Sequence, residues 1–80
     1  MKLLPRETKN NTPFEGLAIG TEPETVENRF GGDSCLLSPE AVAVYDLIMG
    51  AESLGDYDTV EKGCSWFREN FPAEYMALLD

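Results

Sequence analysis

The spacing of apolar and polar positions divides the chain near residue 37 into two parts. Residues 38–80 carry apolar positions at helical spacing. Residues 1–36 contain only short apolar stretches, broken by three of the five prolines and four of the seven glycines. Proline and glycine in such numbers are typical of turns and irregular chain. The pattern predicts an irregular N-terminal arm, residues 1–36, followed by a small helical domain, residues 37–80.

A first helix is predicted from Ser38 to about Leu54. Ser38 is suited to the N-cap, Pro39 to the first helical position and Glu40 to the first turn. Gly55 is a typical helix stop. Apolar residues occupy nearly every side of this helix, so it needs cover on several sides. We expect that cover from the arm or from a second subunit.

A second helix is predicted over residues 57–70, with Asp56 as its N-cap. Apolar residues recur in it at +3 and +4 spacing and form a seam that faces the first helix. The seam comprises Tyr57, Val60, Cys64, Phe67 and Phe71. Pro72 ends this helix and begins a third, residues 73–79, which is too short to be stable undocked. These elements predict an all-α fold: an antiparallel helical hairpin plus a short C-terminal helix, with the irregular arm.

Within the arm, residues 21–30 are compatible with one helical turn that has Thr21 or Glu22 as its cap and Pro23 at its first position. The apolar stretch over residues 17–19 is too short to assign to a strand. Five apolar side chains are the expected anchors of the arm on the helical body. They are Phe14, Leu17, Ile19, Val26 and Phe30.

Trp66 lies outside the seam, roughly 130° around the helix from its centre. Gly63 and Asn70 are predicted on the same side as Trp66. Two interpretations stay open. Either the arm or the third helix covers the indole, or the indole is exposed and anchors a partner, because tryptophan is enriched at binding hot spots.

The charge is strongly negative and unevenly distributed. Fifteen acidic and six basic residues give a net charge of −9, with +2 in residues 1–10 and −11 in residues 11–80. Such a body repels phosphate backbones, which argues against direct nucleic-acid binding. The acidity therefore indicates either a basic protein partner or simple solubility.

The residue types that perform most catalysis and metal binding are scarce. The chain has no histidine and two cysteines, Cys35 and Cys64, whereas structural zinc needs four such ligands and a nucleophilic thiol needs a base. Asp56 and Asp58 resemble the start of a calcium loop, but Val60 breaks the ligand pattern. We expect no enzyme activity, no cofactor and no metal.

Apolar runs are too short for a membrane span, and no secretory signal is evident. The sequence therefore predicts no membrane association, a cytoplasmic location and two free, reduced thiols.

Residues 40–73 resemble one tetratricopeptide-like unit. The resemblance is carried by Leu54–Gly55–Asp56–Tyr57 between the helices and by Pro72 at the end. Val60 stands where that motif has a small residue for close helix packing, and a single unit does not stand alone. The resemblance implies only the helical hairpin.

Three segments, Asn28–Phe30, Leu37–Asp46 and Lys62–Arg68, carry a further likeness, which spans about residues 28–79. In these segments the chain resembles a group of small proteins of tailed bacteriophages, including phages of marine cyanobacteria. The group has no assigned activity. The resemblance therefore implies an infected bacterial cell as the setting and assigns no site residues.

Together these features predict a small acidic phage accessory protein that acts through protein–protein interaction, as a homo-oligomer. The candidate interface residues are Phe30, Tyr45, Asp56, Asp58, Glu61 and Trp66. One alternative is an inhibitor that mimics nucleic acid and binds a basic host protein through its acidic side chains. Another is a minor structural component of the virion.

Overall fold

The computed structural model describes residues 12–28 and 31–79. In chain order, its elements are β1 (Glu24–Glu27), β2 (Ser34–Leu37), α1 (Pro39–Leu54), α2 (Tyr57–Asn70) and α3 (Pro72–Leu78). Helices α1 and α2 pack as a hairpin and α3 packs on α2. The predicted helical hairpin with a short third helix is confirmed.

The helix ends lie where the sequence places them. The Ser38 side chain accepts a hydrogen bond from the backbone N–H of Ala41 at 3.3 Å. Gly55 ends α1 with a φ of 77°, a left-handed conformation that glycine adopts without strain. Asp56 caps α2 by accepting from the backbone N–H of Thr59 at 3.3 Å.

The all-α prediction is wrong for the arm, which contains a β-hairpin. Strands β1 and β2 pair antiparallel, with Val26 opposite Cys35, and the backbone N–H of Asn28 closes the turn by donating to the Asp33 carbonyl at 2.8 Å. Residues 24–27, read as irregular chain compatible with one helical turn, form strand β1. The β-branched side chains of β1 and the Asn and Gly residues of the turn favour a hairpin instead.

Strand β2 joins the arm to the helical body. It crosses the predicted boundary between residues 36 and 37, and Leu37 is almost fully buried. The Asn28 side-chain amide also donates to the Ala77 carbonyl at the end of α3, at 2.8 Å. The second half of the arm is therefore a layer of the fold rather than a loose extension.

The core lies where α1 meets α2, α3 and the sheet. Its α1 residues are Ala41, Val44, Tyr45, Ile48 and Ala51. Phe67 of α2 and Leu78 of α3 complete it, and the predicted anchors Phe14, Leu17 and Val26 pack against it. Residues of the arm, the sheet and α2 thus cover α1 from several sides within one chain. Phe30 lies outside the described residues.

The seam predicted on α2 is correct at its centre and wrong at its start. Phe67 is fully buried and Val60, Cys64 and Phe71 are partly buried, but Tyr57 is 68% exposed. Tyr57 is the first residue of α2, beside the still more exposed Leu54 at the end of α1. Both side chains point away from the packed part of the hairpin.

Gly63 marks a close approach of α1 and α2. A Cβ atom at this position would lie 2.6 Å from Cγ1 of Ile48 and 3.6 Å from Cζ of Phe14. Gly63 lies within about 60° of Trp66 around the helix, as predicted, but it faces Ile48 of α1 rather than the outer surface. Gly63 provides the small residue that close helix packing requires and that Val60 does not supply.

Candidate functional site

An open groove of about 500 Å³ runs along the outer face of α2. Its lining residues are Pro13, Asp58, Glu61, Lys62, Ser65, Trp66 and Glu69. All but Pro13 belong to α2, and their spacing of three, four and seven residues places them on one helix face. Three predicted interface residues, Asp58, Glu61 and Trp66, therefore lie together.

Trp66 forms one wall of the groove and is partly buried. Its indole ring packs against Phe67, with ring centroids 6.0 Å apart and planes at 82°, and against Phe71 at 5.5 Å. Asn70 donates from its side-chain amide to the Trp66 carbonyl at 2.8 Å. The ring contacts with Phe67 and Phe71 account for part of the burial of the indole, which also lines the groove. A partner anchored on Trp66 stays a prediction.

The start of the described chain forms the opposite edge of the groove. The Phe14 backbone N–H donates to Thr12 Oγ1 at 3.1 Å, and the Leu17 N–H donates to the Phe14 carbonyl at 3.3 Å. This tight turn places Pro13 beside α2. The Lys62 ammonium lies 5.7 Å from the centroid of the Phe14 ring, within the range of a cation–π contact.

The groove is acidic. Its lining contains three carboxylates, Asp58, Glu61 and Glu69, and one ammonium, Lys62, which is a net charge of −2. All three carboxylates are exposed. An open site with an apolar wall and an acidic floor suits an extended basic chain better than a small molecule, which is normally enclosed on most sides.

The other predicted interface residues lie elsewhere. Tyr45 is 7% exposed in the core, so the structure removes it from any surface of the folded chain. Asp56 is engaged in capping: its second carboxylate oxygen accepts from the Thr59 hydroxyl at 2.7 Å. These hydrogen bonds, led by the one from the side chain of Thr59, lower the pKa of Asp56. Phe30 is outside the described residues.

The two cysteines do not form a reactive site. Both thiols are free. Burial raises the pKa of Cys64 above its ordinary value, and burial followed by the charges of Glu74 and Asp33 does the same for Cys35. A raised pKa keeps a thiol protonated at neutral pH, and the thiolate is the nucleophile.

Within residues 12–28 and 31–79, no cluster of acidic or cysteine side chains is arranged to hold a metal ion. Over the same ranges, no helix combines the length and apolarity that crossing a membrane requires.

Sequence reasoning missed one feature of the site and one packing contact behind it. Pro13 is distant from α2 in sequence and carried no signal beyond turn formation. Gly63 was predicted only to share the side of Trp66, although a glycine inside a predicted helix is itself a signal for a packing contact such as the one it makes with α1. No family model, curated protein or solved structure matches this chain, so its function has to be inferred from its own residues.

Proposed function

We propose that this chain is a small accessory protein that acts by binding another protein through the acidic groove on α2. The observation that supports the proposal is the placement of Trp66 beside Asp58, Glu61 and Glu69 on one open face. A fixed aromatic wall supplies apolar contact at little cost in side-chain entropy. The carboxylates add charge complementarity, which steers association and selects a basic partner.

The partner surface that fits is an extended segment with lysine or arginine side chains and at least one apolar side chain. The basic groups pair with the groove carboxylates, and the apolar group packs on the indole. Catalysis has no part in the proposal, because the chain has no histidine to activate the one hydroxyl of the groove, that of Ser65. The resemblance to phage proteins supports an infected bacterial cell, and its cytoplasm, as the setting.

The test is a capture experiment in a phage-infected bacterial lysate with three forms of the full chain. These are the wild type, the groove variant E61K/E69K and the control variant E22K/D33K, which makes the same charge change at exposed residues outside the groove. We expect one dominant basic protein with the wild type and the control, reduced at least tenfold with the groove variant. The same protein should be lost between 50 and 500 mM salt.

Capture that is equal with the groove variant and the control would contradict the proposal. If the captured protein binds nucleic acid and duplex DNA displaces it, the chain is an inhibitor that mimics nucleic acid. If the captured proteins are phage structural proteins and the chain is found in purified particles by mass spectrometry, it is a minor virion component.

Self-association is a second candidate, favoured by the exposed apolar side chains of Leu54 and Tyr57, at 86% and 68% exposure. They lie together at the turn between α1 and α2, so two turns could pack against each other. Sedimentation velocity at 5 to 100 µM tests this directly. A dimer that L54S/Y57S converts to a monomer supports self-association, and a monomer over the whole range excludes it at those concentrations.

A further inference from the structure

Strand β1 has one edge that pairs with β2 and one that does not. The hydrogen bond from the Asn28 N–H to the Asp33 carbonyl fixes the phase of the antiparallel ladder. Residues that bond to the partner strand alternate with residues whose backbone groups point away from it. Glu24 and Val26 therefore direct their N–H and C=O groups towards β2, and the residue that follows each of them directs its groups outward.

The outward residues, Thr25 and Glu27, form an open edge. In the part of the chain that the structure describes, no backbone group outside β2 is hydrogen-bonded to either residue. Residues 20–25 and Glu27 are all exposed. The edge therefore presents two N–H donors and two carbonyl acceptors in extended geometry, which is what an added strand requires.

The side chains of β1 select against a second copy of the same strand. Successive side chains of a strand point to opposite faces, so Glu24 lies on the face of the partly buried Val26 and Glu27 lies on the outer face. Two β1 strands paired edge to edge would bring four of these carboxylates together, and like charges in adjacent strands repel. An added strand with basic residues three positions apart would instead place one positive charge beside each glutamate.

A cleft of about 210 Å³ lies at the start of β1, between residues 18–24 and the first half of α1. Its lining contains three carboxylates, those of Glu22, Glu24 and Asp46, and no basic side chain. Val42 and Ala43 of α1 provide an apolar wall. Arginine and lysine pack their stems on apolar surface and keep their charged ends at carboxylates. The cleft therefore suits the basic side chain that an added strand places beside Glu24.

We propose that β1 accepts an extended segment of another protein as a third strand of the sheet. Two basic side chains of the segment, three positions apart, pair with Glu24 and Glu27, and the one beside Glu24 enters the cleft against α1. Backbone hydrogen bonds supply the affinity and the spacing of the basic residues supplies the specificity. This surface shares no residue with the groove on α2, so the proposal goes beyond the proposed function and does not depend on it.

The test is amide hydrogen exchange of the full chain, followed by NMR with and without 2 mM of the synthetic peptide TRVTKVT. The arginine and lysine of this peptide are three positions apart. We expect the peptide to slow exchange of the Thr25 and Glu27 amides at least threefold. The Val26 amide, which already points towards β2, is the internal control and should change less than either.

The groove variant E61K/E69K separates the two surfaces, because a basic peptide can also reach the groove on α2. We expect the same slowing at Thr25 and Glu27 in this variant as in the wild type. The peptide TVRKTVT has the same composition with its basic residues adjacent, so only one of them can lie beside a glutamate. It should bind about threefold more weakly in a chemical-shift titration.

Two pairs of variants test the edge itself. Thr25→Pro removes the outward N–H without removing a bond to β2, a strand position at which proline is tolerated, and should weaken binding of TRVTKVT at least fivefold. Thr25→Val keeps the N–H and should bind within twofold of the wild type. E24K/E27K should weaken binding at least fivefold, whereas E61K/E69K, with the same change in net charge, should not. Cross-strand contacts between Val26 and Cys35 in the NMR spectra check that the hairpin is retained.

Three outcomes would overturn the proposal. Unchanged exchange at Thr25 and Glu27 excludes strand addition and leaves the groove on α2 as it stands. Slowing that occurs in the wild type and is lost in E61K/E69K assigns the peptide to the groove instead. Slowing that increases with protein concentration in the absence of peptide assigns the edge to a second copy of the chain.

Discussion

The two faces of α2 illustrate two ways in which one helix is used. The inner face, with Gly63 and Phe67, fits α1 closely and contains no charged group. The outer face, with Glu61, Trp66 and Glu69, is open and acidic. Trp66 and Phe67 are neighbours in sequence and touch through their rings. Close packing restricts which side chains the inner face can accommodate, whereas the negative charge of the outer face favours basic binding partners.

The largest expected difference between the two faces is in the free energy of unfolding that is lost when Phe67 or Trp66 is replaced by alanine. Phe67→Ala empties a fully buried site and should cost about 3–5 kcal/mol. A core of this size supplies only about 3–5 kcal/mol in total, so the variant should be largely unfolded. Trp66→Ala, at a partly buried position, should lose less than half as much. Urea denaturation followed by circular dichroism measures both, and equal losses would show that the outer face is also structural.

Alanine substitution of the two glycines inside helices should change the free energy of unfolding in opposite directions. Gly63→Ala places a Cβ 2.6 Å from a buried side chain, and the overpacking cost of about 1–3 kcal/mol exceeds the gain in helix propensity of about 1 kcal/mol. Gly50→Ala meets no atom within 4 Å and should stabilise the chain by about 0.5–1 kcal/mol. Thermal unfolding of the pair is the measurement.

A companion variant identifies the contact responsible. Ile48→Ala removes both atoms that the new Cβ would meet, Cγ1 at 2.6 Å and Cδ1 at 3.0 Å, so the double variant with Gly63→Ala should lose less stability than the sum of the two single variants. Strictly additive effects in the double variant would place the strain elsewhere.

A smaller effect concerns the cap at the start of α2. The pKa of Asp56 in the folded chain lies below that in the unfolded chain, so the hydrogen bonds from Thr59 stabilise the fold above the unfolded pKa of about 3.9. That contribution is lost as the pH falls through the folded pKa. Thr59→Val removes the hydroxyl donor and should raise the Asp56 pKa, whereas Thr59→Ser should keep it low. Carboxyl carbon chemical shifts in an NMR titration give the pKa of Asp56 in the wild type and the two variants. An Asp56 pKa in Thr59→Val equal to that in the wild type would rule out the Thr59 hydroxyl as the cause of the lowered pKa.

The smallest change is expected from charge reversal on the outer face. E61K/E69K alters the net charge by four, from −9 to −5, yet exposed side chains away from packing contacts should change the free energy of unfolding by less than about 0.5 kcal/mol. The control E22K/D33K should behave alike. A large loss with E61K/E69K alone would mean that the groove carboxylates support the fold rather than a partner.

Local signals predicted the helices accurately. Ser38, Gly55 and Asp56 act through hydrogen bonds within one turn of chain, so the residues that decide each helix end are adjacent in sequence. Pro72 likewise marks the start of α3 without reference to the rest of the fold. The carboxylates on the outer face of α2 followed from the same helical periodicity.

The remaining features depend on contacts between distant residues. Strand β1 is stable only because β2 pairs with it and the body covers Val26, and neither condition is visible within residues 21–30. Tyr45 was placed at an interface because α1 is apolar all round, and its burial depends on the sheet and α2 together. The groove needs Pro13, which reaches α2 only after the turn at Thr12 has formed.

The hydrogen bond from the Asn28 side chain to the Ala77 carbonyl joins residues 49 positions apart. On a ribosome the β-hairpin emerges before the helix end that it contacts, which is synthesised 49 residues later. Helices α1 and α2 contact each other through a two-residue turn and can pair as soon as both have left the exit tunnel. Because long loops close slowly relative to local contacts, we infer that the N-terminal layer docks in the final step of folding, after translation has passed α3.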